Sequence, residues 1–456
     1  MNAAAQLLAG EFSEPSLNLV DPQSRGRGEV DMVMRPPRQP CPRECGFVAR
    51  VSSEQLRRFY EIEFGAGLGK SCSPDEAFCK SHACDRLIDR GSVEKTSKGD
   101  ALTRIDSAET WNYIEARAGR LRLNRPKALN ALTLPMVRQI TEALLLWRSD
   151  PNVRLIILDH VAGRGFCAGG DVVSIAKSAQ GHGAAAEEFF FEEYRLNHLM
   201  YTFPKPGVAF MDGVTMGGGV GIACPCRYRI ATERTLFAMP ETSIGLFPDV
   251  GGGRYLSRLR GRVAQYLALT GARLTGAECV ALGLASHYIE SDALDAVKQQ
   301  LCAHPEKVES ILAGAASPVP EAKIVAHLEA IDHLFAPDVY EEILAALRAN
   351  GSDWATEQLE VLASKSPTAC KVSLRMLVES PRHLHFVDEM KMEYGIVARS
   401  CRSHDFAEGV RALLIDKDCQ PKWLPSSPEG VTQEIVDGYF EPLPEARAWT
   451  PLTTTD

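Results

Sequence analysis

Two carboxylates next to a run of glycines mark the segment of this chain that is best suited to catalysis. The sequence ETSIGLFPDVGGG carries Glu241 and Asp249 with apolar side chains between them. A surface loop would leave both acids in water, whereas a partly dry pocket would make them a catalytic pair with separated pKa values. On one continuous helix the two Cα atoms would lie ~12 Å apart. Because Gly245 and Pro248 interrupt the helix, we expect a turn that brings both acids to one pocket.

Two glycine-rich loops precede these acids, in GRGFCAGGDVVSIA (163–176) and DGVTMGGGVGIACP (212–225). Each joins a strand-like apolar run to a helical pattern, and glycine lets backbone amides approach a ligand closely. Neither loop ends in Gly-Lys-Ser/Thr or spells GxGxxG, which argues against a nucleotide-phosphate site. Tight turns without a ligand remain one interpretation. The other is an oxyanion hole, in which each loop donates one amide to a carbonyl oxygen.

Composition limits the classes of partner. The chain has 456 residues, of which 45% are hydrophobic and 24% charged, as in ordinary globular proteins. Its net charge of -9 provides no global field that would attract nucleic acid or an anionic membrane. No apolar run approaches the ~20 residues of a membrane-spanning helix, and no secretory signal opens the chain. We therefore predict an intracellular protein without nucleic-acid or membrane partners.

The cysteines and histidines predict reduced thiols and no metal site. Five cysteines fall in the first hundred residues without CxxC pairs: Cys41, Cys45, Cys72, Cys79 and Cys84. His160, His182 and His198 do not share a metal-ligand spacing. Cys167, in GFCAGG, has no histidine placed by the sequence to activate it, so we expect it to pack beneath the loop.

Four segments differ in composition. Residues 1–105 are rich in Ser, Pro, Gly, Arg and acids, which predicts a poorly ordered extension of unknown role. Residues 106–300 alternate strand and helix patterns and are predicted to form an α/β core that holds the active site. Residues 301–430 are predicted to be a helical region, and residues 431–456 a tail.

Within the core, individual elements have local signals. YIEARAGRLRLN predicts a hairpin that turns at Gly119, and TLPMVRQITEALLLWRSD predicts a helix capped by Thr133 with Pro135 in its first turn. VRLIILDHV, VAFMDGV, YRIAT and TLFAM have the length and apolar character of buried strands. Helical patterns dominate beyond residue 258.

Four motifs in order resemble one family: LNRPKALNAL, FCAGGD, TMGGGVG and FAMPETSIGLFPDVGGG. They are similar to the crotonase (enoyl-CoA hydratase/isomerase) superfamily, over about residues 110–425. The resemblance implies a crotonase-like (ClpP/crotonase) spiral core of ββα units with a helical C-terminal region that often mediates homo-oligomers. It also implies an acyl-CoA small-molecule substrate and no cofactor, since coenzyme A is part of that substrate.

The resemblance also assigns site residues. The oxyanion-hole amides belong to Gly170 and Gly218, Glu241 is the central catalytic carboxylate, and Asp249 is its catalytic partner. Glu193 matches a substrate-binding acid, and Gly218, Glu241 and Asp249 also contact substrate. The expected CoA-binding positions are Lys127, Ala168 and Asp171.

Each assignment has an ordinary structural alternative. Glu241 could be a solvated acid at the end of a strand, and Asp249 could only cap the following helix. Glu193 could belong to a solvated helix face, in which case Glu192 is the residue misassigned. Lys127 and the nearby Arg125 could be surface charges.

One departure from the superfamily pattern selects among its reactions. Hydratases place a second catalytic glutamate three residues after the middle glycine, where this chain has Gly221. The resemblance therefore implies hydrolysis of a 3-hydroxyacyl-CoA thioester, most specifically 3-hydroxyisobutyryl-CoA of valine breakdown. Another crotonase-type reaction, such as hydration or isomerisation, and a non-catalytic structural subunit are the alternatives. The expected compartment is the mitochondrial matrix in a eukaryote and the cytoplasm in a bacterium.

Overall fold

A computed structural model describes residues 104–106, 108–179 and 184–452 of the chain. The predictions for the N-terminal extension, for its five cysteines and for His182 lie outside these residues. No helix in the described ranges is long and apolar enough to span a membrane.

Two sheets form the α/β part of the described chain. The strands are β1 (Arg104–Asp106), β2 (Thr110–Glu115), β3 (Ala118–Leu123), β4 (Leu155–His160), β5 (Gly165–Cys167), β6 (Gly207–Met211), β7 (Val214–Met216), β8 (Tyr228–Ala231), β9 (Leu236–Ala238), β10 (Leu274–Thr275) and β11 (His287–Tyr288). The larger sheet has the order β1-β2-β3-β4-β6-β8-β11, and the smaller one has the order β10-β9-β7-β5. From β3 to β11 the larger sheet is parallel. Repeated strand pairs that alternate between the two sheets, each followed by a helix, confirm the predicted ββα core.

Helices cover the sheets and make up the C-terminal half. They are α1 (Leu134–Ser149), α2 (Val172–Ala179), α3 (Ala184–Tyr201), α4 (Gly218–Ala223), α5 (Gly252–Leu256), α6 (Val263–Thr270), α7 (Gly276–Ala281), α8 (Leu294–Ala303), α9 (Val308–Ala315), α10 (Leu328–Leu334), α11 (Tyr340–Asn350), α12 (Asp353–Ala363), α13 (Pro367–Glu379), α14 (Phe386–Ser400), α15 (His404–Val410) and α16 (Gln433–Phe440). The predicted helical region is therefore observed. Helix α16 lies in the segment predicted to be a tail, and the domain boundaries themselves remain a prediction.

Helix α1 begins as its sequence predicts. The Thr133 hydroxyl accepts a hydrogen bond from the Met136 amide, and Pro135 occupies the first turn. One face of the helix buries Val137, Ile140 and other apolar residues against the larger sheet. Capping and amphipathic spacing together account for this element.

The β2–β3 hairpin is present, but its predicted turn at Gly119 is wrong. The chain turns at Ala116 and Arg117, where Ala116 has a positive φ of 50°. Gly119 lies inside β3, and a Cβ there would come 2.4 Å from the ring of Trp147 on α1. Glycine is required at this position by helix packing, not by the turn.

Candidate active site

Three parallel strands of the smaller sheet bring the predicted site residues to one edge. Strands β5, β7 and β9 pair side by side in the same direction. Gly170, Gly218 and Glu241 each follow the end of one of these strands by two or three residues. Because neighbouring parallel strands end at the same edge of a sheet, segments distant in sequence converge there.

The two glycine loops are in contact through their backbones. A Cβ built on Gly218 would lie 3.3 Å from the Gly170 nitrogen and 2.4 Å from Oε1 of Glu193. The second distance is shorter than real Cβ atoms allow, so only glycine lets this amide approach the acid so closely. The site therefore requires a residue without a side chain at position 218.

The amides of both loops are directed away from their own secondary structure. The Leu132 amide donates a hydrogen bond to the Gly169 carbonyl, and the Asp171 amide donates one to the Leu132 carbonyl. In this parallel bridge the N–H of Gly170, between the two, faces away from Leu132. The Gly218 N–H belongs to the first turn of α4, whose amides have no partner inside the helix. Both N–H groups can thus donate to a group outside the backbone ladder.

Glu241 is a buried carboxylate that opens a 3₁₀ turn (Glu241–Ile244) and is 6% exposed. Its Oε2 atom has no hydrogen-bond partner among the described residues. Burial raises the pKa of Glu241 well above its usual value, and the negative charges of Asp249 and Glu193 raise it further. Because the side chain is buried, the interpretation of Glu241 as a solvated acid is wrong. Burying a carboxylate without a partner costs free energy.

Asp249 lies in the same buried region. Its Oδ2 accepts a 2.8 Å hydrogen bond from the hydroxyl of Tyr194 on α3. Burial raises the pKa of Asp249 to about 7, although the Tyr194 hydroxyl opposes the shift. Helix α5 has Gly251 as its N-cap, without a side-chain cap, so the alternative in which Asp249 only caps this helix is wrong.

We expect Asp249→Asn to raise the melting temperature by a few degrees near pH 8 and by less near pH 5. The folded-state pKa of about 7 lies above the ordinary value of 3.8. Between these values the folded state holds the proton that the unfolded state has lost, so stability falls as pH rises. Asparagine has no charge to bury and avoids this loss.

Thermal unfolding of the Asp249→Asn variant and the parent protein across this pH range measures the effect. The advantage of the variant should grow as pH rises and level off above about pH 7. A difference that is independent of pH would contradict the burial of an ionisable group at this position.

Glu193 projects from the inner face of α3, where it is 2% exposed. Its Oε1 atom has no hydrogen-bond partner among the described residues, and burial beside Asp249 raises its pKa well above the usual value. Glu192 points to the other face of α3 and lies 3.9 Å from Arg138, with a side chain that is 25% exposed. The solvated-face interpretation therefore applies to Glu192 and is wrong for Glu193.

These groups line one cavity of about 60 Å³, a volume that can hold a few water molecules. The polar wall consists of Gly170, Gly218, Glu193, Glu241 and Asp249. The apolar wall includes Val172, Ile175, Phe190, Met216, Ile244 and Leu246. The structure thus brings the five central residues of the sequence prediction together in a largely apolar environment.

Gly221 has no room for a side chain. A Cβ built there would lie 2.6 Å from Cβ of Val250 and 2.9 Å from Nδ2 of Asn197. Val250 therefore occupies the space into which a second carboxylate would extend from position 221. Three acids, Glu193, Glu241 and Asp249, therefore line the cavity, and position 221 contributes no carboxylate.

Comparison with known proteins agrees with the fold and with the four motifs. The model of the enoyl-CoA hydratase/isomerase family matches residues 118–440. The chain belongs to this family. The predicted family resemblance and the predicted crotonase-like fold are confirmed.

Among curated members of the family, mitochondrial 3-hydroxyisobutyryl-CoA hydrolase of Xenopus laevis is 44% identical over 336 residues, covering 72% of this chain and 87% of the relative. The Rattus norvegicus protein of the same name is 44% identical over 348 residues, covering 74% and 90%. A solved structure described as carnitinyl-CoA dehydratase from Mycobacterium thermoresistibile is similar with a TM-score of 0.72 and 38% identity. It covers 75% of this chain and 99% of its own.

The three positions expected to bind CoA in this family are placed differently from one another. Ala168 lines the cavity, next to the glycine loop. Asp171 accepts a 2.7 Å hydrogen bond from Arg125 and another from the Ser174 amide at the start of α2. Lys127 is exposed on a 3₁₀ turn outside the residues that line the cavity. Asp171 therefore has a structural ion pair with Arg125, and only Ala168 faces the cavity directly.

Cys167 packs beneath the first glycine loop, as predicted. It is fully buried, and burial raises the pKa of its thiol to about 12, which keeps it protonated and unreactive near neutral pH. Among the described residues no group of three His, Cys, Asp or Glu side chains is arranged to hold a metal ion.

Two contacts of the site were not predicted from the sequence. Tyr194 binds Asp249 across 55 positions, and the buried ammonium of Lys365 donates a 2.7 Å hydrogen bond to Ser243 in the turn that carries Glu241. The helical spacing of buried residues on α3 offered a signal for Tyr194, which follows Phe190 by four positions. No local pattern indicates Lys365, because its partner is 122 residues away.

Proposed function

We propose that this chain hydrolyses 3-hydroxyisobutyryl-CoA to 3-hydroxyisobutyrate and CoA, as a step of valine breakdown. The observation that carries the proposal is the meeting of two glycine amides with Glu241, Asp249 and Glu193 in one cavity, while Val250 fills the space next to Gly221. Relatives at 44% identity that bear this activity in their names support it.

In this reaction water is added across the thioester C–S bond. The amides of Gly170 and Gly218 donate hydrogen bonds to the thioester oxygen and stabilise the negative charge that develops there. Glu241 either attacks the carbonyl carbon, giving a mixed anhydride that water then opens, or removes a proton from the attacking water. Both routes need an ionised Glu241 carboxylate beside the carbonyl carbon, and a proton held by Asp249 favours it, because the charge of Asp249 then no longer raises the pKa of Glu241.

The departing thiolate of CoA must gain a proton, and we assign its delivery to Asp249. A pKa of about 7 lets this group gain and release a proton near neutral pH, which is the range that general acid catalysis favours. Tyr194 holds the carboxyl group in place through its 2.8 Å hydrogen bond.

Hydration is the second candidate, since a structural relative at 38% identity is described as a dehydratase. Adding water across a carbon–carbon double bond in this superfamily uses a second glutamate, at the position of Gly221. The contact between that position and Val250 leaves no space for one. We therefore favour hydrolysis.

The experiment that separates the two candidates follows purified protein with 3-hydroxyisobutyryl-CoA and with crotonyl-CoA. Free thiol is titrated in both, and loss of the enoyl absorbance is recorded in the second. We expect rapid thiol release from the first substrate and no change in enoyl absorbance. Enoyl loss without thiol release would establish hydration, and inactivity in both assays would support a non-catalytic subunit.

Glu193 is expected to set the preference for a hydroxyl group on the acyl chain. Its unpaired buried Oε1 is placed to accept a hydrogen bond from the 3-hydroxyl of the substrate. A site built in this way rejects an analogue without the hydroxyl by up to ~10⁴-fold. In Glu193→Ala, kcat/KM for isobutyryl-CoA should therefore approach that for 3-hydroxyisobutyryl-CoA.

Glu192→Ala is the matched control, because it removes the neighbouring acid of the same helix, which lies near Arg138 and does not line the cavity. It should keep the preference of the parent protein. Equal preference in the Glu193→Ala variant and the parent would exclude a role of Glu193 in hydroxyl recognition.

We further propose that the protein needs no cofactor beyond the coenzyme A of its substrate and that it acts as a homo-oligomer through its helical C-terminal region. For a eukaryotic source we place it in the mitochondrial matrix, as the word mitochondrial in the names of its relatives supports.

A further inference from the structure

The turn that carries Asp249 has a strained backbone. Val250 adopts a left-handed conformation with φ of 55°, and Gly251 follows with φ of 88°. Glycine tolerates this region, but a β-branched residue there is a true outlier that persists only where its surroundings enforce it. The side chain that the strain positions is the one that packs against Gly221.

Glu393 on helix α14 accepts hydrogen bonds from the backbone of this turn. One of its carboxylate oxygens accepts a 2.7 Å hydrogen bond from the Gly251 amide, and the other accepts a 3.2 Å bond from the Gly253 amide. The side chain is completely buried, and burial raises its pKa, with the charges of Glu389 and Asp249 adding to the shift. A carboxylate in so unfavourable a place is compensated by the two amides that it binds.

We propose that Glu393 is a positioning residue for the reaction, fixing the strained turn that directs Asp249 into the cavity and packs Val250 against Gly221. The expected effect of Glu393 on kcat rests on the proposed hydrolysis. Its effect on the conformation of the turn at Val250 does not depend on the substrate. Glu393 itself has no place among the residues that line the cavity.

The test compares Glu393→Gln with Glu389→Gln. Both change a completely buried acid on α14, but Glu389 binds Ser380 and His383 instead of the turn amides. Glutamine at 393 keeps one acceptor oxygen and turns an NH₂ group toward the other amide. We expect Glu393→Gln to lower kcat for 3-hydroxyisobutyryl-CoA ~10- to 100-fold with little change in KM, since small misplacements have such effects. Glu389→Gln should lower the melting temperature and leave kcat nearly unchanged.

Val250→Gly supplies the rescue, because glycine adopts the left-handed conformation without strain. In this background Glu393→Gln should cost less melting temperature and less kcat than it does in the parent protein. Equal losses in both backgrounds, or equal kcat for Glu393→Gln and Glu389→Gln, would overturn the proposal. If Glu393→Gln alone does not fold, the double variant should fold, and its failure to do so would also overturn it.

A parent protein that releases no thiol would refute the proposed hydrolysis and not the coupling. In that case the melting temperatures of the Glu393→Gln and Val250→Gly variants, singly and combined, still decide whether Glu393 fixes the turn. Additive losses would show that it does not.

Discussion

Replacing Glu241 by glutamine is expected to lower thiol release from 3-hydroxyisobutyryl-CoA by ~10³-fold or more while the protein remains folded. Glutamine has the same shape, but it can neither attack the carbonyl carbon nor accept a proton from water. The variant should also melt at a higher temperature near neutral pH. Burial raises the pKa of Glu241 well above its usual value, so ionisation near neutral pH favours the unfolded state, and glutamine does not ionise.

The matched control is Glu278→Gln, which changes another buried acid, one that does not line the cavity. Glu278 forms a capping box with Thr275 and accepts a hydrogen bond from the Ile324 amide. Its replacement should lower stability and leave turnover intact. A Glu241→Gln variant that hydrolyses substrate within about tenfold of the parent would remove Glu241 from the chemistry.

The second large effect is expected from Gly218→Pro, which deletes one amide donor. Proline is tolerated at the first position of a helix, and Gly218 opens α4, so the helix can form; the change removes the N–H group and adds a Cβ against Glu193. Removing one donor of this kind lowers kcat ~100- to 1000-fold.

Gly218→Ala is the proper comparison, because it introduces the same Cβ against Oε1 of Glu193 but keeps the N–H. Both variants should therefore lose activity through crowding, and the proline variant should lose a further ~100-fold. Equal activity of two folded variants would mean that the Gly218 amide does not stabilise the transition state.

The central site could be predicted because its residues lie in local motifs, whose resemblance to the crotonase superfamily assigned each residue its role. Gly170 and Gly218 lie in short motifs that follow apolar strands, and Glu241 and Asp249 flank a segment broken by glycine and proline. The geometry agrees, since parallel strands place these segments at one edge of the smaller sheet.

What the sequence did not indicate depends on contacts between distant segments. Glu393 meets the turn amides across about 140 positions, so no local pattern indicates this contact beside the left-handed backbone of Val250. The error at Gly119 has the same origin, because a glycine required by Trp147 has the same local pattern as a glycine required by a turn.

The polarisation of the thioester carbonyl is the most direct test of the account. Raman difference spectra of 3-hydroxyisobutyryl-CoA, labelled with ¹³C at the carbonyl and bound to the inactive Glu241→Gln variant, report the strength of that C=O bond. We predict a lower stretching frequency than in water. Adding Gly218→Pro should return the frequency most of the way to its value in water, whereas adding Gly218→Ala should leave it low. An unshifted frequency in the bound thioester would contradict the assignment of Gly170 and Gly218 as its hydrogen-bond donors.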